Sequence, residues 1–125
     1  LFLATTLRDV HVAWAWVTIV SNALAGLWAF GAHRYPQLRT RALWWFTAAA
    51  EVAVFIQVAL GVGLVSGQHI DPPKFHMFYG FIAIITVGLA YSYRQQLQKV
   101  YLWYGAFGLF IMGLGIRAVL VGTMR

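Results

Sequence analysis

Two histidines and one glutamate are the residues of this 125-residue chain whose types and placement point to chemistry. His11 stands near the start of the first long apolar run and His76 near the start of the third. If both runs are helices crossing a membrane in the same direction, the two rings lie at similar depth on faces that point inward. Neutral imidazole is the commonest metal ligand among side chains. Two imidazoles facing each other across a helix bundle can take both axial positions of a haem iron. Ala15 and Gly80, one turn from each histidine, would leave space for a flat macrocycle. Arg8, Lys74 and Arg117 are near enough in depth to be candidates for contact with its propionates. The competing reading is that both histidines are simply interfacial polar residues at helix ends.

Glu51 is the one acid inside an apolar run. A bare carboxylate is costly there, so it is expected to be paired or uncharged. Asn22 lies near the same depth and is the expected hydrogen-bond partner. A polar clasp between the first two helices is favoured over a proton relay or a quinone-contacting acid, because polar side chains commonly bond across membrane helices. Gln57 is the third polar residue within a span. His33 sits beside Arg34 and reads as part of a solvated loop. His69 and Asp71 share one end with His11 and His76. The four make a conceivable zinc or copper set, although their spacing follows no metal-binding motif. Arg117 falls on the opposite side of its helix from the neighbouring glycines and is expected to snorkel to the headgroups.

The elements that would position these residues follow from composition. Apolar residues make up 62% of the chain and charged ones 10%, against about 25% charged in a soluble domain. That excludes a soluble globular fold, and the abundance of aromatic residues excludes a disordered chain. With no cysteine, disulfides, iron–sulfur clusters, thiolate metal sites and c-type haem attachment are excluded. The net charge of +6 would suggest nucleic acid in a soluble protein. Here the basic residues sit in short loops between apolar runs, so membrane topology accounts for them and no nucleic-acid partner is expected. No cleavable signal peptide is seen, and a start at Leu1 rather than Met leaves room for a missing upstream segment.

Four apolar stretches, about 10–32, 42–66, 75–93 and 100–123, are each near or above the ~18 residues that read as a spanning helix. All three prolines fall between them. The expected fold is all-α: one integral membrane four-helix bundle over 1–125, with short loops. The runs are too long and too uniformly apolar for a β-barrel. Loops 33–41 and 94–99 carry Arg34, Arg39, Arg41, Arg94 and Lys99 without an acid, which predicts them on the cytoplasmic side of the cell (inner) membrane and both termini outside. Arg8 and Arg125 weigh against this orientation without reversing it. Trp28, Trp44, Trp45, Tyr93, Tyr101, Trp103 and Tyr104 gather near the predicted inner ends as an aromatic belt would.

Each predicted helix also has one face of polar and small residues suited to close helix approach. On the first these are His11, Trp14, Thr18, Asn22, Ala25 and Ala29. On the second they are Thr47, Ala50, Glu51, Val54, Gln57, Val58 and Gly61. His76, Tyr79, Gly80, Ala83, Val87 and Ala90 mark the third, and Tyr101, Gly105, Gly108, Met112 and Gly115 the fourth. The halves resemble each other weakly: each begins with a histidine, and the second helices open with Leu43-Trp44-Trp45 and Leu102-Trp103-Tyr104.

The run Gln57-Val58-Ala59-Leu60-Gly61-Val62-Gly63-Leu64-Val65, followed by a short loop and then His76 with Gly80, resembles part of the heme A synthase family. That family has a Gln-x-x-x-Gly helix followed by a helix opening with a haem-ligating histidine, and a partner histidine on the preceding helix. The resemblance implies His11 as the partner and His76 as the second ligand. It covers one four-helix half, essentially the whole chain, where the family has two. The family usually has an acid and an arginine tightly flanking its first histidine, whereas here Arg8-Asp9 precede His11 and Val12 follows it. Without a second half or a cysteine pair, the resemblance implies a haem-b-binding relative rather than haem A synthesis.

The expected function is therefore electron transfer through haem b, between a quinone or membrane redox protein and a partner on the outer side. An electron carrier or subunit is expected rather than an independent enzyme, and no catalytic residue is assigned. The alternative is a cofactor-free accessory subunit of a larger respiratory or photosynthetic membrane complex. A small transporter, supported only by Glu51 and Asn22, ranks third.

Overall fold

The computed structural model describes residues 2–67, 69 and 71–123, with side chains over 6–67, 69 and 71–122. Four helices build it: α1 (Phe2–Arg34), α2 (Arg41–Val62), α3 (Lys74–Tyr93) and α4 (Val100–Thr123). A 3-10 turn, Pro36–Leu38, joins α1 to α2, and α2 continues into a π-helical turn, Gly63–Gly67. All four helices are long and apolar enough to cross a membrane. The chain is an all-α four-helix bundle of the integral membrane type, with no strand among the described residues.

Local chemistry sets the breaks. Pro36 disfavours helical geometry at the residue before it, and Tyr35 is extended, at φ −117° and ψ 102°. Arg39 then folds back, its Nε donating to the Ala32 carbonyl at 2.7 Å and its Nη2 to that of His33 at 3.0 Å. Both acceptors belong to the last turn of α1, whose carbonyls have no helical donor. Thr40 caps α2 by accepting from the Leu43 amide. Pro73, extended at ψ 144°, precedes the first turn of α3.

The first helix departs from the sequence expectation. It begins at Phe2 rather than near Val10, because Arg8 and Asp9 are compatible with a helix and neither glycine nor proline interrupts the segment. Its 33 residues span about 50 Å, against a hydrocarbon core of roughly 30 Å. His11 consequently lies more than two turns inside α1, whereas His76 is in the first turn of α3.

The packing is uneven along the bundle. We call the end carrying His11 and His76 the histidine end, and the end carrying loops 33–41 and 94–99 the aromatic end. At the aromatic end, Ala29, Ala32, Leu43, Ala90 and Tyr104 form a buried cluster, flanked by Trp28, Trp44 and Tyr101. Tyr104 donates its hydroxyl to the Ala90 carbonyl at 2.9 Å, and Trp44 meets the Tyr104 ring edge-on at 5.1 Å between centres. Nearer the middle, Val54, Ala83, Val87 and Ile111 form a second buried cluster. The most extensive pairing is α1 with α4, and of the helix pairs adjacent in the chain α2 and α3 touch least.

Glycines make the α1–α4 crossing possible. A Cβ on Gly108 would lie 2.7 Å from the Asn22 carbonyl oxygen and 2.7 Å from Gly26 Cα. One on Gly26 would lie 2.9 Å from the Gly105 oxygen. The helices thus touch backbone to backbone, as small-residue seams allow in membranes.

Side-chain hydrogen bonds join α1 to α2. Trp14 Nε1 and Thr18 Oγ1 both donate to the Ala53 carbonyl, at 2.9 and 3.2 Å. Asn22 Nδ2 donates to the Ala50 carbonyl at 3.1 Å and to that of Thr18 at 2.9 Å. In return, Gln57 Nε2 donates to the His11 carbonyl at 2.8 Å. Each helix carbonyl has a second lone pair free for such a bond. Asn22 is only 2% exposed, so Asn22→Ala is expected to cost about 1 kcal/mol, read as a lowered midpoint of thermal unfolding in detergent.

Candidate functional site

Beyond the second buried cluster, towards the histidine end, the four helices enclose a cleft of about 520 Å³. This volume lies within the ~300–1,000 Å³ usual for small-molecule and cofactor pockets. Its walls are largely apolar: Ala15, Val58, Gly61 and Leu64 on one side, Gly80, Ala83, Ile84 and Gly115 on the other. Residues 64–66 of the π-helical turn contribute to the wall, and such turns often stand at functional sites.

His11 and His76 both line this cleft, one from α1 and one from α3. Their ring centres are 5.9 Å apart and their planes are nearly perpendicular, at 80°. Each ring rests against a glycine of the next helix in its hairpin. A Cβ on Gly61 would lie 3.2 Å from His11 Cε1, and one on Gly122 would lie 3.0 Å from His76 Nδ1. The same relation, histidine on the first helix and glycine on the second, therefore occurs in both halves.

Hydrogen bonding orients the two imidazoles differently. His76 Nδ1 is 2.8 Å from the Ala118 carbonyl oxygen. A carbonyl only accepts, so Nδ1 carries the proton, and in the neutral ring Nε2 keeps its lone pair. A backbone carbonyl bound to one nitrogen while the other is left to coordinate is the usual setting of a metal-ligating histidine. His11 Nδ1 is buried and has no hydrogen-bond partner among the described residues, and the same holds for Gln57 Oε1. Gln57 holds the backbone of His11 instead of its ring.

The other predicted residues divide. Arg8 lines the cleft, whereas Lys74 and Arg117 are not part of its wall. The Arg117 Nε donates to the Tyr79 hydroxyl at 3.5 Å, and Tyr79 is itself a wall residue. The four-residue zinc or copper set does not assemble: among the described residues, no three His, Asp or Glu side chains are grouped to hold a metal ion. His69 is exposed in the α2–α3 loop at φ 55°, a left-handed conformation that histidine tolerates better than most residues. A turn residue accounts for it.

The expected Glu51–Asn22 clasp is also corrected. Asn22 clasps α2, but through the Ala50 and not the Glu51 side of that helix. Glu51 faces a separate cavity of about 380 Å³ at the aromatic end, lined also by Trp44, Thr47, Tyr91, Arg94 and Tyr104. Adjacent positions on a helix point about 100° apart, so Ala50 and Glu51 cannot both face α1.

Sequence reasoning missed Gly122 and the Ala118 carbonyl. The signal for Gly122 was available, because Gly108, Gly115 and Gly122 recur at intervals of seven and so share one helix face. The Ala118 carbonyl is backbone, and no residue type announces it. Comparison with protein-family models, with characterised proteins and with solved structures finds no match to this chain.

Proposed function

We propose that the cleft binds haem b between His11 and His76, and that the protein is a small membrane electron carrier or redox subunit. The observation that carries this reading is the 5.9 Å separation of the two rings. Two imidazoles on opposite sides of one metal ion, each with a metal–nitrogen bond of about 2.0 Å, put their ring centres roughly 6 Å apart. Three further features fit: the proton on His76 Nδ1, the apolar walls of small residues, and Arg8 at the cleft, a cation suited to a propionate. When bound, haem supplies one-electron chemistry.

This chain's own residues would hold and tune that group. Gly122 and Ala118 seat the His76 ring, and Gly61 seats that of His11. Gln57 fixes the α1 backbone at His11. The largely apolar wall would lower the polarity around a bound redox group, which is a lever on its potential. By the positive-inside rule, loops 33–41 and 94–99 are cytoplasmic and the histidine pair lies towards the outer face. An electron leaving the site would then meet a partner on that side.

The test is a reduced-minus-oxidised absorption spectrum of gently solubilised protein made with ample haem. Sharp b-type bands at one haem per chain are expected. A flat spectrum from folded protein would overturn the reading and leave the accessory-subunit role, for which exposed aromatics such as Trp45, Phe75 and Phe81 supply surface for lipid or helix neighbours.

A further inference from the structure

The cavity at the aromatic end shares no lining residue with the histidine cleft. Three aromatic side chains, Trp44, Tyr91 and Tyr104, share its wall with Glu51 and Arg94. Glu51 lies ten residues into α2, about 15 Å along the helix from its start, and so well within the apolar part of the bundle. Its carboxylate makes no hydrogen bond or close ion pair among the described residues, and Arg94 acts on it only at longer range. Arg94 spends one donor on the Tyr91 carbonyl, at 2.7 Å, and a guanidinium has five.

An occupant must meet both groups, Glu51 within the span and Arg94 at the end of α3. A lone phosphate would be repelled by Glu51 and a lone cation by Arg94, and a zwitterionic headgroup could pair with both but would leave the aromatic wall unused. What suits the pair is a neutral, flat headgroup that accepts a hydrogen bond at one edge and donates or accepts at another. Contact with the aromatic wall adds to such binding. A quinone has this form: a planar ring, oxygens on opposite edges that are carbonyls or hydroxyls according to redox state, and a hydrocarbon tail for the lipid.

We infer that the aromatic-end cavity binds the headgroup of a membrane quinone, with Arg94 donating to one ring oxygen and the Glu51 carboxyl, in its protonated form, donating to the other. This site stands independently of haem in the histidine cleft, and its test separates the two. Protein in nanodiscs is titrated with decylubiquinone and with a short-chain naphthoquinone, using empty nanodiscs to correct for partition into lipid. Saturable binding at one site per chain is expected. Glu51→Leu and Arg94→Leu should each weaken it at least about tenfold, the scale of one lost buried hydrogen bond. Glu51→Gln, which keeps a donor and an acceptor, should stay within about threefold. The haem spectrum should not change in any of these variants. If Glu51→Leu does not fold, Ala48→Trp carries the same test, because Ala48 lines the cavity from an exposed helix position and the indole would fill it. Binding that is indistinguishable from lipid partition, equal in all variants, or displaced one-for-one by haem would overturn the assignment.

Discussion

Gly108→Val should abolish the folded bundle. The new Cβ would stand 2.7 Å from the Asn22 carbonyl oxygen and from Gly26 Cα. Both are backbone atoms of α1 and cannot rotate out of the way, so the two helices must separate along their whole seam. Overpacking usually costs 1–3 kcal/mol when side chains can yield, and here about 3 kcal/mol or more is expected because they cannot. The Asn22 bond to α2 would be strained as well, since its backbone sits in the same crossing. Size-exclusion profile and thermal midpoint in mild detergent read the outcome. Gly113→Ala is the control: a Cβ there meets nothing within 4 Å, and replacing an exposed helix glycine should stabilise by up to about 1 kcal/mol. Equal behaviour of the two variants would show that the crossing does not hold the bundle together.

The second large effect concerns the histidines. His76→Ala should eliminate the b-type absorption bands while leaving the helical circular dichroism intact, and His11→Ala should do the same. The geometry adds a finer discrimination. In Gly122→Leu the ligand is still present, but the Cβ would lie 3.0 Å from His76 Nδ1, so the ring must leave its seat and lose the 2.8 Å bond to the Ala118 carbonyl. Haem binding should fall at least about tenfold, because a ring no longer held in position and tautomer is a poor ligand. Retention of the bands in both alanine variants would remove the histidines from the site, whatever the protein binds.

Much of the frame was legible in the sequence because membrane helices announce themselves by length and polarity. The inward face predicted for the first helix is the buried one: Thr18, Asn22, Ala25 and Ala29 are all buried. The convergence of His11 with His76 was legible too, since each stands near the same end of its apolar run and the two runs cross in the same direction. Other features could not be read in that way. The clasp was assigned to Glu51 because both residues were polar and near the same depth. Which of Ala50 and Glu51 faces α1 depends on helix rotation, set by the glycine crossing and the Trp14 and Thr18 bonds to Ala53. Buried Ala53, Thr86 and Ile111 lay off the predicted stripes for the same reason. The helix α1 runs on beyond the span of about 10–32, because charge ends a span without ending a helix.

The dominance of the α1–α4 pairing has a consequence for biosynthesis. Because α1 precedes α4 in the chain, it must wait while α2 and α3 are made before it gains its main neighbour. Until α4 arrives, neither Gly122 nor the Ala118 carbonyl exists to seat His76, and α2 and α3 offer each other little contact in the meantime. The histidine pair is thus seated only once α4 has been made, and a chain cut short before α4 carries both histidines without the contacts that hold His76.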